Sequence, residues 1–250
     1  MPIVSVIMPS YNSEKTISES VQSVLSQSFD SWELIIVDDN STDSTWEIIE
    51  ELQGSNSKIR AFRNQENKGA GGSRNLAIDK ASGRYIAFLD SDDIWAPEKL
   101  AEQIAFMQSN DYPFTYTYYQ SFNSNRELGV TKAPDSISYN ELLYSNVIGC
   151  LTAIYDSEYF GKRYMPLIRK RQDMGLWLEL LSATPRAYCL TKNLAKYRVD
   201  SGMTASKTSV LSYQWRFYRD VVKLGFFKTI CVFSVYALKG FIKNRKRYMD

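Results

Sequence analysis

Short apolar runs alternate with stretches of helical period over the first ninety residues. Ile3-Val4-Ser5-Val6-Ile7-Met8, Glu33-Leu34-Ile35-Ile36-Val37, Ile59 to Arg63 and Tyr85-Ile86-Ala87-Phe88-Leu89 are each bounded by polar turn residues. Runs of this length and composition predict strands buried on both faces. Between them, Ile17, Val21, Val24 and Leu25 recur at helical spacing. Thr45 to Leu52 predicts a second helix, with Asp43 or Ser44 as its N-cap, and Ser73 to Ser82 a third, after a polar, glycine-rich loop over Asn64 to Gly72. Strands alternating with helices predict an α/β fold with a parallel, doubly wound sheet. Ligands of such sheets sit at the carboxyl ends of the strands. Strands one, two and four run into Pro9-Ser10-Tyr11-Asn12, Asp38-Asp39-Asn40-Ser41 and Asp90-Ser91-Asp92-Asp93. Tyr11, Asp38, Asp39, Asp90 and Asp92 are therefore expected at one rim.

The second half is less regular. Ala96-Pro97 is expected to open a helix with Leu100, Ile104 and Met107 on one face. Phe114 to Tyr119 reads as a tyrosine-rich strand, Ser121 to Asp135 as a surface hairpin or loop, and Asn146 to Thr152 as the approach to another strand. Arg169-Lys170-Arg171-Gln172-Asp173 precedes an amphipathic helix carrying Leu176, Trp177, Leu180 and Leu181. Asp173 falls at or near that helix's N-terminus, where a carboxylate serves as a cap. Ser209 to Arg247 predicts two helices whose apolar residues alternate with Lys223, Lys228, Lys239 and Lys243. The longest uncharged run there, Thr229 to Leu238, falls far short of the ~20 residues that span a bilayer. Two readings stay open for this tail: an amphipathic helix in a membrane interface ending in the basic cluster Lys243 to Arg247, or a helix packed on the core.

Composition narrows the chemistry. With 250 residues, 44% hydrophobic and 23% charged, the chain suits one large domain with an appendage, or two small domains. A net charge of +2 gives no field favouring nucleic acid. The sequence contains no histidine, which excludes Ser-His-Asp and Cys-His hydrolases and His-ligated zinc. Acid and base work then falls to Asp, Glu, Lys or Tyr. Cys150, Cys189 and Cys231 lie far apart, without metal-ligand spacing, and read as reduced thiols of a cytoplasmic protein. No basic leader or apolar signal core precedes the first strand, so no signal peptide is expected. Three carboxylates within Asp90 to Asp93 would repel one another at a strand end. A hard divalent ion such as Mg²⁺ or Mn²⁺ would relieve that repulsion, although Asp and Ser also form solvated turns. Gly69-Ala70-Gly71-Gly72-Ser73-Arg74-Asn75 lacks the Lys-Ser/Thr ending of a P-loop, so it reads as a loop making a close approach, with Arg74 placed to reach an anion.

Taken together, Ser5-Val6-Ile7-Met8-Pro9-Ser10-Tyr11-Asn12, Val37-Asp38-Asp39-Asn40-Ser41-Thr42-Asp43 and Asp90-Ser91-Asp92-Asp93 resemble the motifs of family 2 glycosyltransferases. Asn67-Lys68-Gly69 through Ala77 resembles that family's glycine-rich loop and following helix. Arg171-Gln172-Asp173 with Leu176-Trp177-Leu178 resembles its Glu-Asp…Leu-Trp-Leu segment. The likeness runs from residue 3 to about 200, with the motifs in family order. It implies the GT-A fold: a Rossmann-like, mostly parallel sheet over residues 1–208, with a nucleotide-sugar half (1–95) and an acceptor half (96–208), followed by a helical segment (209–250) for which membrane association is one of the two readings above.

Carried over, the resemblance implies that Tyr11 stacks on the base of a UDP-sugar and Asp39 binds its uracil. Pro9, Arg74 and Ser91 border the nucleotide, Asp90 lies near ribose and metal, and Asp92 ligates Mn²⁺ or Mg²⁺ at the diphosphate. Asp173 would be the general base of an inverting transfer, giving a β-glycoside from an α-linked donor. Gly149, Arg171 and Trp177 would border the acceptor. The chain departs from the family pattern in two places. Gln172 stands where many members have Glu, and Tyr197-Arg198-Val199-Asp200 carries Asp where many have a histidine ligand, so Asp200 is a weak third metal candidate. The basic, apolar tail resembles bacterial O-antigen, capsule or teichuronic-acid enzymes that act on undecaprenyl-diphosphate-linked sugars. Those expectations favour UDP-Glc or UDP-Gal as donor, a location at the cytoplasmic face of the inner membrane and no nucleic acid partner. The competing readings are a sugar nucleotidyltransferase, which should carry a glycine-rich Arg/Lys loop directly after the first strand, and a non-catalytic membrane-surface module.

Overall fold

The computed structural model describes residues 2–199 and 207–247. Its frame is a ten-stranded mixed sheet. β1 (Val4–Ser10), β2 (Trp32–Asp38), β3 (Ile59–Arg63) and β4 (Tyr85–Phe88) form a parallel half in the order β3-β2-β1-β4. α1 (Ile17–Leu25), α2 (Thr45–Ser55) and α3 (Gly69–Lys80) are its crossovers. Every residue of β1, β2 and β4 is buried. A strand covered on both faces needs apolar side chains at odd and even positions alike, which is why these segments read as continuous runs. Ile7, Ile35, Val37, Ile86 and Phe88 face one core layer, while Val6, Met8, Leu34, Ile36 and Ala87 face the other. Ser10 pairs with Asp38, and the Leu89 N–H donates to Ile7 O at 3.1 Å, so the ends of β1, β2 and β4 finish side by side.

The sheet continues through β5 (Ile94–Trp95), α4 (Lys99–Asn110), β6 (Phe114–Phe122), β7 (Glu127–Thr131), β8 (Ser136–Ile137), α5 (Tyr139–Leu143), β9 (Ile154–Asp156), α6 (Ser157–Phe160), α7 (Gln172–Ala183) and β10 (Ala187–Arg198). From β4 the order runs β9-β6-β10-β5. Because β9 is antiparallel to both β4 and β6, β6 and β10 run in the same sense as the first four strands. The stretch 121–135 contains the expected hairpin, with β7 folding back on β6.

Two element boundaries differ from the sequence reading, each for a tertiary reason. α3 begins at Gly69 rather than Ser73, because the Asp39 carboxylate accepts the Lys68 and Gly69 N–H groups from across the rim. Ala96 and Pro97 precede α4 instead of opening it, since the Ala96 N–H donates to Leu194 O and prolongs the β5–β10 ladder. Residues 146–152 end in a 3₁₀ turn, Cys150–Thr152, before the strand starts at Ile154.

The tail forms α8 (Lys207–Arg216), a π-helical turn (Phe217–Val221) and α9 (Phe226–Arg247). Phe217, Tyr218, Leu224 and Val232 join the core, and the Tyr218 hydroxyl donates to Leu143 O. Phe226, Phe227, Ile230 and Leu238 stay exposed. The tail is thus packed on one side and apolar on the other. No helix among the described residues is long and apolar enough to cross a membrane.

Candidate active site

Two chambers open side by side at the carboxyl rim. The first, about 830 Å³, is lined by the loop after β1 (Pro9 to Thr16), Asp39, Asp43, Ala70, Arg74, Asp90, Ser91, Asp92 and Arg198. Its walls are held by reciprocal hydrogen bonds between the loops after β1 and β2. Asn12 is left-handed (φ 49°), and its side chain accepts the Thr42 N–H at 2.9 Å, while its own N–H donates to Ser41 Oγ at 2.9 Å. The Ser13 N–H donates to Thr45 Oγ1 at 2.7 Å, and the Ser13 and Ser91 hydroxyls lie 2.8 Å apart. Tyr11 stands on this frame with about half its surface exposed, an aromatic face open to the chamber.

The two adjacent aspartates at the end of β2 have different positions. Asp38 is fully buried, accepting from Ser41 and pairing with Arg63 at 3.1 Å, and does not reach the chamber. Asp39 lines it. Oδ1 of Asp39 accepts from Asn64 Nδ2 (2.7 Å) and the Lys68 N–H (2.8 Å), and Oδ2 accepts from the Gly69 N–H (2.7 Å). A carboxylate has about four acceptor positions, so Oδ2 keeps one for an N–H donor such as the uracil imide.

The acidic segment resolves into three environments. Asp90 Oδ1 takes Arg74 Nη2 at 2.5 Å. Asp92 lines the first chamber beside it. Asp93 is 1% exposed, and burial, reinforced by the Asp90 and Asp92 carboxylates, pushes its carboxyl well above the usual range, against the pull of the Arg198 N–H at 3.0 Å. The three carboxylates thus differ in surroundings: Asp90 is paired with Arg74, Asp92 lines the chamber and Asp93 is buried behind them.

Arg74 and Asp90 also line the second chamber, of about 850 Å³. Its other walls are Tyr119, Lys132, Asn146 to Leu151, Arg169 to Asp173, Tyr197 and Tyr213. Arg74 Nη1 reaches Gln172 Oε1 at 3.3 Å, and Gln172 Nε2 donates to Ile168 O at 2.5 Å. The residue that departs from the family pattern thus links the loop before α7 to the Arg74–Asp90 pair. Gly71 makes this possible, since a Cβ there would lie 3.0 Å from the Gln172 side chain. The Arg74 Nε is buried and has no partner among the described residues, and the nearby Asp90 carboxylate raises the pKa of the guanidinium further.

Asp173 sits in the first turn of α7, two residues beyond the N-cap position, which Arg171 occupies with φ 68°. Its Oδ2 accepts from Asn146 Nδ2 at 3.0 Å. Asn146 Oδ1 is buried and unpartnered among the described residues. Gly149 borders the same chamber, where a Cβ would approach the Tyr119 ring to 3.2 Å. Arg171 borders it too, its guanidinium hydrogen-bonded to the Tyr236 hydroxyl and 5.6 Å from that ring's centroid.

Trp177 corrects the expectation of an acceptor contact. It is fully buried against Phe88 and Phe114, at centroid distances of 5.4 and 5.3 Å, because it lies on the core face of α7. Asp200 lies outside the described residues. Sequence reasoning missed Asn146, Arg198, Tyr119 and Tyr197. Tyr197 and Arg198 carry a visible signal, since both belong to the Tyr-Arg-x-Asp segment, and the Arg198 Nε donates to Asp92 O at 2.9 Å.

Two chambers joined at one Arg–Asp pair on the rim of a Rossmann-like, mostly parallel sheet are consistent with a GT-A glycosyltransferase fold. The sequence profile described as Glycosyl transferase family 2 matches residues 5–167, and the chain belongs to that family. It is 41% identical over 248 residues to the "Putative teichuronic acid biosynthesis glycosyltransferase TuaG" of Bacillus subtilis, covering 98% of both chains. It is 42% identical over 223 residues to the Escherichia coli "UDP-Glc:alpha-D-GlcNAc-diphosphoundecaprenol beta-1,3-glucosyltransferase WfgD", covering 88% of this chain and 87% of that one. Staphylococcus aureus TarS 1–349 in complex with UDP-GlcNAc shares the fold with a TM-score of 0.72 at 22% identity, covering 95% of this chain and 72% of that one.

Proposed function

We propose that this transferase moves a hexose, glucose or galactose, from its UDP ester to a sugar linked through a diphosphate to a lipid, with inversion to a β-linkage, in the synthesis of a bacterial surface polysaccharide. The observation that carries the proposal is the pair of chambers that share Arg74 and Asp90 and hold Tyr11 and Asp39 on one side and Asp173 on the other. The name of the WfgD relative supports the donor and acceptor classes.

Residues 1–95 act as the donor half. Tyr11 stacks on uracil, the spare acceptor position of Asp39 receives its N–H, and Pro9 and Ser91 border the nucleotide. Arg74 lines the chamber and presents positive charge toward the donor diphosphate. Asp92 and Asp90 would hold Mg²⁺ or Mn²⁺, since such ions commonly take one or two carboxylates plus substrate phosphates and water. When bound, the ion would neutralise charge on the departing UDP.

Residues 96–208 act as the acceptor half. Tyr119 and Tyr197, 6.0 Å apart at their centroids, offer ring faces to the acceptor sugar. Asn146 holds the Asp173 carboxylate through its amide Nδ2. Asp173 takes the proton of the attacking hydroxyl as that oxygen bonds to the anomeric carbon and the bond to UDP breaks. Attack from the face opposite the leaving group inverts that carbon. Residues 209–250 bring the enzyme to the cytoplasmic face of the membrane, where the exposed face of α9 and its lysines meet acyl chains and anionic headgroups.

The test is transfer from UDP-Glc and UDP-Gal to a GlcNAc-α-diphosphate-alkyl acceptor, with the product's anomeric configuration read by NMR. A β-linked disaccharide from one of these donors is expected. An α-linked product, or nucleotide transfer in place of sugar transfer, would overturn the assignment.

A further inference from the structure

The second chamber carries more positive charge than the chemistry so far requires. Lys132, Arg169, Lys170 and Arg171 line it but do not line the first chamber. Several cations elsewhere on the surface have carboxylate partners: Arg163 with Glu179, Arg186 with Glu141, Lys192 with Glu102 and Lys196 with Glu127. None of the four chamber cations forms an ion pair among the described residues. Arg171 is spent on Tyr236, and the Lys170 ammonium lies 4.9 Å from the Tyr213 ring centroid with its charge uncompensated. The chamber's three carboxylates are engaged elsewhere: Asp90 pairs with Arg74, Asp93 accepts from the Arg198 N–H and Asp173 accepts from Asn146 Nδ2. The cations therefore face an incoming anion.

Three features lie in sequence beside them. Asp173 is three residues from Lys170 and four from Arg169, so the base and the cations are at most about 14 Å apart along the chain. That span accommodates one sugar ring followed by a diphosphate. Leu167, 77% exposed, lies just upstream of Arg169. Tyr213 and Tyr236, which contact Lys170 and Arg171, belong to α8 and α9, and Phe227 of α9 is 82% exposed. Carboxylate, cations and apolar surface follow the order of reacting hydroxyl, diphosphate and hydrocarbon in the acceptor.

We propose that Lys132, Arg169 and Lys170 form an anion subsite for the diphosphate of the acceptor, in a chamber separate from the one that takes the donor diphosphate. The inference rests on the transferase reading above. Arg169 supplies a planar fork suited to paired phosphate oxygens, and the two lysines supply point charges. Lys170, held over Tyr213, ties occupancy of this subsite to the position of α8.

The experiment compares two short-alkyl acceptors used in solution without vesicles: GlcNAc-α-diphosphate-alkyl and its phosphate-free counterpart, GlcNAc-α-O-alkyl. The enzymes are wild type, Lys132→Ala, Arg169→Ala, Lys170→Ala and the triple variant. In wild type the ratio of kcat/KM for the diphosphate acceptor over the phosphate-free one should be high. Each substitution should lower it about tenfold, the effect of one lost charge-assisted hydrogen bond.

Equal use of both acceptors by wild type, or a ratio unmoved by the triple variant, would overturn the subsite and leave the transferase standing. Should the variants instead lose only binding to anionic vesicles, the cations serve membrane headgroups and the subsite is refuted. Calorimetric titration of the diphosphate acceptor into UDP-saturated enzyme decides the matter independently of turnover, with binding weakened about tenfold or more in the triple variant expected. If wild type transfers to neither acceptor but the titration shows that loss, the donor or linkage assignment has failed and the subsite holds.

Discussion

The two chambers are built by different means. The donor chamber stands on the ends of β1, β2 and β4, where the ladder fixes the backbone and neighbouring loops exchange short hydrogen bonds such as Ser13–Thr45 and Asn12–Thr42. The acceptor chamber is assembled from β6, the turn at 146–152, the loop before α7, β10 and α8. Its parts are joined by side chains: Arg74 to Gln172, Asn146 to Asp173, Arg171 to Tyr236. A rim fixed by a sheet is preorganised, whereas one fixed by side chains can shift when a single link is cut. Donor contacts should therefore be rigid and acceptor contacts adjustable. This division suits a scaffold in which one class of donor must be handed to different acceptors.

The comparison breaks most visibly at Asp92. Asp92→Ala would remove one of the two carboxylates proposed to hold the ion. Turnover should fall on the order of a thousandfold, as when a group stabilising transition-state charge is lost. EDTA should abolish transfer by the wild type, and added Mn²⁺ or Mg²⁺ should restore it. Full activity of metal-stripped enzyme would remove the metal from the scheme.

On the acceptor side, Asp173→Asn keeps the shape of the side chain and leaves an acceptor for Asn146 Nδ2. An amide does not take a proton from a hydroxyl. Initial rates should drop at least about a hundredfold, within the range contributed by a general base, while titrated UDP still binds. As Asp173 lies inside the first turn of α7 and not at its cap, the loss of stability should stay below about 1 kcal/mol. A variant that transfers at the normal rate would send the search for the base elsewhere in the acceptor chamber.

The tail gives a smaller effect. Phe227 and Leu238 are eleven residues apart on α9, close to three full turns, and share an exposed face. Phe227→Ser with Leu238→Ser should weaken binding to anionic vesicles roughly tenfold or more, given about 1.5–3 kcal/mol per apolar side chain fully buried. Wild-type binding should weaken as salt rises, because the lysine contribution is screened. If the double variant sediments with vesicles as wild type does, this face meets something other than acyl chains.

What could be read from the sequence follows the same division. The donor rim was legible because parallel strands announce themselves as apolar runs, and every donor residue sits at a strand end or just inside the following helix. Tyr11, Asp39 and Asp90 meet as expected. Even there, Asp38 and Asp39 differ in role for a reason invisible in one dimension: the side-chain alternation of β2 turns one toward Arg63 and the other toward α3. Acceptor residues come from segments far apart in the chain, and single positions carry little signal. Trp177 was an acceptor candidate through the resemblance of its Leu-Trp-Leu segment, yet it lies on the face of α7 that packs into the core. Asn146 has no pattern at all and is found only through its bond to Asp173.

The smallest effect lies beneath the acceptor turn. Lys99 is fully buried; its ammonium donates to Thr152 O at 3.0 Å and to Gln103 Oε1, 5.5 Å from the Trp95 ring centroid. Gln103 Nε2 also reaches Thr152 O at 3.0 Å, and Trp95 Nε1 reaches Leu151 O at 2.8 Å, so three side chains hold the turn at 150–152 from below. Burial lowers the pKa of Lys99 well below its ordinary value. Between that lowered pKa and the unfolded value of about 10.4, the unfolded chain binds more protons than the folded one, so this group's contribution to stability rises with pH. Below the lowered pKa both states are charged and the slope vanishes. Lys99→Met removes the titration while roughly keeping the volume. Urea unfolding of both proteins across pH 7 to about 10 should show the wild type gaining on the variant as pH rises, by at most about 1.4 kcal/mol per pH unit. Parallel curves would mean that Lys99 keeps its proton throughout, with the Thr152 carbonyl and the Trp95 ring stabilising a buried cation under the acceptor chamber.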